Sequence, residues 1–418
     1  MKKTIFNSFY RSGLLWCLCL YATASQAAPI VELPAHAFTP AEIAIIVNDD
    51  DALSVKIGEY YRKQRGIPHD NLIHVNFKPG FSNMEVAVFN RIKARVDEKT
   101  PTTVQAYVLT WLKPYRVTCM SITSAFAFRF NLEYCAQGCK KTKPSPYFNS
   151  ASVAPYTDYG LRPTMILAAT DFAAAKRLMQ RGIDADNTAP TGTAYLMDTN
   201  DKNRNVRSQL YDHAIKFTQD IIKVKRIKGQ ALKNKKDVLF YFTGLVRVPA
   251  IESNRFLPGA IADHLTSTGG QLTDSKQMSI LQWIKAGATG SYGTVVEPCN
   301  WQQKFPHPSV VMDRYTSGET LIEAYWKSVK MPGQGLFIGE PLARPYGGYR
   351  WINKAGRKYL RVWSLHRGRY IISGADVADG VYQPLGQIQI ELSGRQDIEF
   401  KKNWQKSFIR LQKTNAGG

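Results

Sequence analysis

Short, uninterrupted apolar runs alternate with amphipathic stretches along most of this chain, and this alternation limits its fold more than any other feature. Apolar runs of strand length are typical of strands that are buried on both faces. Parallel neighbours in such a sheet need long crossover connections, which helices supply. The sequence therefore predicts an α/β fold with a mostly parallel sheet flanked by helices. The predicted strands are residues 43–48, 72–75, 107–112, 165–169, 193–197, 238–242, 260–265 and 289–296.

Helical periodicity is visible between several of these strands, at residues 172–179, 208–222 and 278–286. A further predicted helix follows the first strand and ends at Gly66, before Pro68. The polar residues 48–51 precede this helix, so we expect them to cap its N-terminus.

The N-terminus has the features of a secretory signal peptide. Lys2, Lys3 and Arg11 precede or flank an apolar run at residues 14–21, and small residues at 25–27 are suitable for cleavage after Ala27. The apolar run is too short for a spanning helix. We therefore expect a protein that is periplasmic or secreted and that does not span a membrane.

The remaining chain divides into two parts that differ in sequence pattern. Residues 28–345 carry the alternation of strands and helices, interrupted at 117–159 by an insertion that is either ordered or a lid. Residues 346–418 contain short alternating runs separated by Gly, Asp and Asn. They predict a small β-rich C-terminal module.

The formal net charge is +22, and removal of the three cations of the leader leaves +19. Lys and Arg concentrate at 223–236, a stretch that we interpret as a helix end and loop. Such a charge is either a solvated face or an attraction for an acidic polysaccharide or peptide. Nucleic acid is not expected as a partner outside the cytoplasm, and no aromatic-studded basic motif is present. Nothing in the sequence bears on the oligomeric state.

Four cysteines follow the leader, and an even number in an exported protein favours disulfides. Cys135 and Cys139 flank a short glycine-containing loop, so we expect them to pair with each other. Cys119 and Cys299 then form either a second bridge or two free thiols. A single close Cys pair without a matching Cys or His pair is a weak zinc signal. We expect no metal and no cofactor.

Several stretches resemble an uncharacterised family of exported bacterial proteins found in species that carry exosortase sorting systems. They are residues 48–68, 195–198 with Asp201 and 204–207, 287–299 and 318–324. The similarity covers nearly all of the chain after the leader. The family has no established activity. The occurrence of this family in genomes with such sorting systems implies an accessory role in envelope polysaccharide or protein sorting.

A more distant resemblance is to the gingipain and caspase class of cysteine peptidases, and it implies a caspase-like sheet. Thr243-Gly244 is similar to the strand end that precedes the catalytic histidine of that class, but Leu245 follows here. Residues 260–270 are similar to the strand that carries the nucleophilic cysteine, and this stretch has no Cys. A thiolate nucleophile needs a sulfur and a base that activates it. Both are missing from these two positions.

We therefore expect a catalytically degenerate, peptidase-like binding or accessory protein of the cell envelope. Its ligand cleft should lie at the carboxyl edge of the sheet. The expected cleft residues are Asn48, Thr243, Gly244, Ser267 and Tyr292.

The alternative is a cysteine-dependent hydrolase whose catalytic residues have moved. Cys299 follows a predicted strand, and Asp263 and His264 lie near the end of another, so the three are candidate catalytic residues. The simpler interpretation is a bonded or buried Cys299 and a His264 that stabilises a turn.

Asp201 is expected to form an ion-paired helix start with Arg204 and Arg207.

Overall fold

A computed structural model describes residues 28–34, 36–136, 138–401 and 404–414. The predicted signal peptide, residues 1–27, lies outside these described residues. Within the described ranges, no helix has the length and apolar character needed to cross a bilayer.

The described chain combines α-helices, short 3₁₀ turns and β-strands. Numbered along the chain, the strands are β1 (Ile30–Glu32), β2 (Ile43–Asn48), β3 (Leu72–Val75), β4 (Asn83–Met84), β5 (Ala106–Leu109), β6 (Arg116–Val117), β7 (Met120–Ser121), β8 (Thr164–Ile166), β9 (Thr193–Asp198), β10 (Lys223–Lys228), β11 (Val238–Thr243), β12 (Phe256–His264), β13 (Gly290–Thr294), β14 (Gly335–Gly339), β15 (Tyr349–Lys354), β16 (Arg357–Leu365), β17 (Gly368–Ala375), β18 (Gln383–Ile390), β19 (Gly394–Glu399) and β20 (Phe408–Lys413). The helices are α1 (Ala52–Arg65), α2 (Val86–Lys99), α3 (Ile122–Phe128), α4 (Pro155–Tyr159), α5 (Phe172–Ala185), α6 (Tyr211–Thr218), α7 (Leu281–Ala286), α8 (Pro308–Thr316) and α9 (Leu321–Ser328).

Ten strands form one large sheet in the order β10-β9-β11-β12-β13-β14-β8-β5-β2-β3. The pairs from β10 to β13 are parallel, and so are the pairs from β8 to β3. β14 is antiparallel to β13 and touches β8 through the single pair Ile338–Ile166. The predicted α/β fold with a mostly parallel sheet and helices is confirmed.

The first strand and helix show why this sequence folds as it does. All six residues of β2 are buried. Asp51 begins α1 by accepting hydrogen bonds from the backbone amides of Leu53 and Ser54, and Gly66 ends it with φ of 65°. Gly58 brings the helix close to the sheet, because a Cβ there would lie 2.2 Å from Val47 Cγ1. The expected capping of this helix by residues 48–51 is thus confirmed for Asp51.

The insertion at 117–159 contributes to the core. Helix α3 contacts β8 and β14, and six of its seven residues are buried. The hydroxyl of Ser121 donates to the carbonyl of Gly335, and that of Ser124 donates to the carbonyl of Pro332. The described part of this segment thus packs against the large sheet through α3.

The C-terminal region is β-rich, as the sequence predicts. It contains the sheets β15-β16-β19 and β1-β20-β17-β18, which enclose a separate cluster of buried apolar side chains. One strand of this region comes from the other end of the chain, since Ile30 of β1 pairs in parallel with Phe408 of β20. The C-terminal sheets therefore include a strand from outside residues 346–418.

The basic stretch at 223–236 was expected to be a helix end and loop, and this is wrong for its first six residues. They form β10, the edge strand of the large sheet. Only Val224 and Ile227 of this strand are partly buried, which leaves too little apolar pattern to indicate a strand. Lysines on an edge strand oppose pairing with a second sheet.

Candidate functional site

A pocket of about 300 Å³ lies beyond the carboxyl ends of the parallel strands β9, β12 and β13. The segments that follow these strands provide its lining. The lining residues are Asn203, Arg204, Leu265, Thr266, Ser267, Glu297, Pro298, Cys299 and Asn300. The structure thus brings together Ser267 and Cys299, which were assigned to different candidate sites from the sequence.

A second, shallower depression of about 820 Å³ adjoins this pocket. Glu297 lines both, and residues of the 117–159 insertion, including Phe130 and Leu132, line the second one. We call the two depressions together the carboxyl-edge groove. Its polar pocket and its more apolar extension offer space for an extended ligand.

The four cysteines are paired differently from our expectation. The disulfides are Cys119–Cys135 and Cys139–Cys299, so the predicted Cys135–Cys139 bridge is wrong. The two cysteines close in sequence each reach a more distant partner because the insertion folds back on itself and onto the loop after β13. The Cys139–Cys299 disulfide therefore ties the insertion to the rim of the groove.

Arg204 is held in the groove by defined contacts. Its Nη1 lies 3.1 Å from Asp201 Oδ2, and its Nε donates to Thr266 Oγ1 at 3.3 Å. Gly244 allows this arrangement, because a Cβ at this position would lie 1.9 Å from the carbonyl oxygen of Arg204. The expected cleft residue Gly244 thus acts by close backbone packing. It also accepts a hydrogen bond from Thr199 at its carbonyl.

Arg207 and Asp263 form a buried ion pair at the ends of β11 and β12. Arg207 Nη1 lies 2.5 Å from Asp263 Oδ1, and each side chain is 1% exposed. Arg207 Nη2 also donates to the carbonyl of Thr243 at 3.0 Å. Burial raises the pKa of Asp263, and the neighbouring Arg207 guanidinium opposes this rise. The expected ion pair of Asp201 with Arg204 is present, whereas Arg207 is paired with the more distant Asp263.

His264 is fully enclosed by its neighbours. Its Nδ1 accepts a hydrogen bond from Trp283 Nε1 at 2.9 Å, and its Nε2 lies 3.1 Å from the carbonyl oxygen of Met278. Burial lowers the pKa of this imidazole to about 3. Both ring nitrogens are engaged, and Cys299 is bonded to Cys139. The described geometry does not assemble the His264 and Cys299 dyad.

The remaining expected cleft residues are buried. Asn48 is buried, and its side-chain amide exchanges two hydrogen bonds with the backbone of Phe77. Tyr292 is buried and donates its hydroxyl hydrogen to the carbonyl of Lys304. Thr243 is buried, and its Oγ1 has no hydrogen-bond partner among the described residues. None of these three side chains lines the pocket.

The polar pocket of the groove is lined by charged and neutral polar side chains, including the carboxylate of Glu297. Arg204 offers a cation, while Asn203, Ser267 and Asn300 offer neutral polar groups. Leu245, which follows the strand end at Gly244, is buried in the apolar core. Across the described ranges, no group of three or more potential metal ligands is found.

The importance of the Arg207–Asp263 pair was not predicted. These residues are far apart in sequence, and the only available signal was a charged residue at the end of an apolar strand.

Comparison with known protein families, with curated proteins and with solved structures finds no match to this chain.

Proposed function

We propose that this chain is a catalytically degenerate, peptidase-like binding protein of the cell envelope that holds an extended peptide in its carboxyl-edge groove. The observation that carries the proposal is the composition of the groove. The polar pocket of the groove lies at the strand ends where a peptidase-like site is expected, and the single sulfur among the described residues that line this pocket, that of Cys299, is bonded to Cys139. A polar pocket beside a larger, shallower depression suits a chain-like ligand better than a compact one.

A relationship to the caspase and gingipain sheet is part of this proposal. It is supported by the position of β11 and β12, whose carboxyl ends lie next to each other and next to the pocket. In this interpretation Leu245 replaces the proton-transfer group, and the polar side chains around the pocket keep a binding role. An accessory role in envelope sorting is compatible with such binding.

The alternative of a relocated cysteine hydrolase needs a free Cys299 thiol and an accessible imidazole. The contacts of both residues weigh against it, because Cys299 is in a disulfide and His264 is buried. A thiolate is required for nucleophilic attack, and a bonded sulfur cannot provide it.

The test uses residues 28–418 and a displayed library of random peptides. We expect the protein to retain a subset of peptides without cleaving them, as measured by mass spectrometry of the recovered peptides. Ser267→Trp should abolish retention because an indole fills the pocket. Ser407→Trp is the control, since Ser407 is exposed in the C-terminal module.

Labelling with iodoacetamide in the absence of reductant gives the opposing outcome. If Cys299 is labelled, and if peptides are cleaved by the wild type but not by Cys299→Ala, the hydrolase alternative is correct. Retention of an acidic polysaccharide together with no retention of any peptide would also overturn the proposal.

A further inference from the structure

A separate cavity of about 600 Å³ lies between α5, α7 and the segments that follow β8 and β12. It shares no lining residue with the carboxyl-edge groove. We call it the α5–α7 cavity. Its volume is within the range of small-molecule sites.

Three cations line the α5–α7 cavity without an acidic partner. Arg177 and Arg181 are one turn apart on α5, and Lys285 lies on α7. None of the three forms an ion pair with a carboxylate of the described residues. The acidic side chain in the lining, Asp171, is engaged at the start of α5, where it accepts hydrogen bonds from the Ala174 amide and from Thr170. With three cations and one carboxylate in its lining, the cavity has a net positive charge.

Arg181 is held in place while part of its guanidinium stays unused. Its Nη2 donates to the carbonyls of Ile284 and Ala288 at 3.0 Å each. Its Nε is buried and has no hydrogen-bond partner among the described residues. Burial and the nearby Arg177 lower the pKa of Arg181 to about 10. Two neighbouring guanidinium groups in a partly buried site repel each other, and a bound anion would remove this repulsion.

Part of the cavity lining is apolar and lies beside the neutral polar side chains of Thr170, Thr273 and Gln282. Ala174 on α5, Leu281 and Ile284 on α7 and Leu272 in the preceding loop face the same space. An inorganic anion would leave this apolar surface unused, and an uncharged apolar ligand would leave the cations unpaired. A ligand that contacts both needs an anionic head and an apolar body.

We propose that the α5–α7 cavity binds a small amphiphile, with its phosphate or carboxylate head at Arg177, Arg181 and Lys285 and its apolar body against α7. Charged groups recognise such heads through strong hydrogen bonds, and guanidinium groups do so in bidentate geometry. This inference does not depend on the proposed peptide groove.

Calorimetric titration of residues 28–418 with decyl phosphate, below its micellar concentration, tests the proposal. Arg177→Gln and Lys285→Gln should each weaken binding by about tenfold, as expected for the loss of one charged hydrogen bond. The charge-matched controls are Arg91→Gln and Lys63→Gln, whose side chains are exposed on α2 and α1. Their affinities should equal that of the wild type.

Inorganic phosphate and decanol, each titrated alone, should bind more weakly than decyl phosphate. Equal affinities of wild type, Arg177→Gln and Lys285→Gln would overturn the proposal, and so would the absence of decyl phosphate binding to the wild type. Ser267→Trp should leave this affinity unchanged, which separates the cavity from the groove. Flotation with vesicles that contain phosphatidic acid supports a lipid headgroup as the natural source. Binding of decyl phosphate without flotation supports a free amphiphile.

Discussion

The indole of Trp283 donates a hydrogen bond to Nδ1 of His264, and both side chains are buried. This contact defines the tautomer, because an Nδ1 that accepts from an N–H group carries no proton of its own. Nε2 then carries the hydrogen and donates it to the carbonyl of Met278. A second proton on the ring would face the indole N–H directly, so the folded protein keeps this imidazole neutral.

The acid stability of the protein should depend on His264. Its pKa is about 3 in the folded state and about 6.5 in an unfolded chain. Below pH 6.5 the unfolded state binds a proton that the folded state does not, so the free energy of unfolding falls as the pH falls toward 3. His264→Asn should reduce this slope in urea denaturation measured between pH 7 and pH 4. His69→Asn, a change at an exposed histidine, should leave the slope as in the wild type.

Removing one partner of the Arg207–Asp263 pair should lower the free energy of unfolding far more than removing one partner of a surface ion pair. Arg207→Met leaves a buried carboxylate without its partner, and we expect it to lower the free energy of unfolding by about 3–5 kcal/mol. The double variant Arg207→Met with Asp263→Leu should recover much of this loss, because no buried charge remains. Arg357→Gln, at an exposed pair with Glu399, should cost at most about 1 kcal/mol. The effects on the free energy of unfolding are measured by guanidinium denaturation. If the effect of the double variant equals the sum of the effects of Arg207→Met alone and Asp263→Leu alone, the two side chains are not coupled.

The disulfide pairing should be visible by mass spectrometry of unreduced proteolytic peptides. We expect cross-linked peptides for Cys119–Cys135 and Cys139–Cys299, and none for Cys135–Cys139. Cys139→Ala with Cys299→Ala should release the insertion from the rim of the groove. This double variant should weaken peptide retention while Cys119→Ala with Cys135→Ala, which keeps the rim disulfide, should weaken it less.

The basic edge strand should keep the protein from associating with itself. Replacement of the exposed lysines of β10, at positions 223, 225 and 228, by glutamine removes charges that oppose edge-to-edge pairing. We expect a concentration-dependent increase in oligomers in light scattering. A triple glutamine variant at Lys63, Lys99 and Lys276 removes the same charge elsewhere on the surface and should remain like the wild type. Equal association of the two variants would argue for a general charge effect.

The parts of the fold that could be predicted are those with a local signal. β2 has an unbroken apolar run, and α1 ends at a glycine before a proline. β10 was missed because its two inward residues are only partly buried and its other residues are charged. β1 was missed because three residues carry no periodicity, and its partner strand lies at the far end of the chain.

The candidate site could be predicted only in outline. Ser267 and Cys299 follow apolar strands, and strand ends are the usual place for a site. Which cysteines pair depends on the path of the insertion, since four cysteines allow three pairings. The contact between Arg207 and Asp263 depends on the packing of the 3₁₀ turn at 205–210 against the sheet, and no sequence spacing encodes it.

The pairing of β1 with β20 has a consequence for the order in which the protein can fold. The first strand to emerge finds its neighbour only when residues 408–413 have followed, so the C-terminal sheet is the last part that can close. Since β1 and β20 run in the same direction, a linker from Lys413 to Ile30 would have to return along the length of β20, and new termini could be opened in an exposed loop. Such a circular permutant would retain every strand pairing of the natural chain.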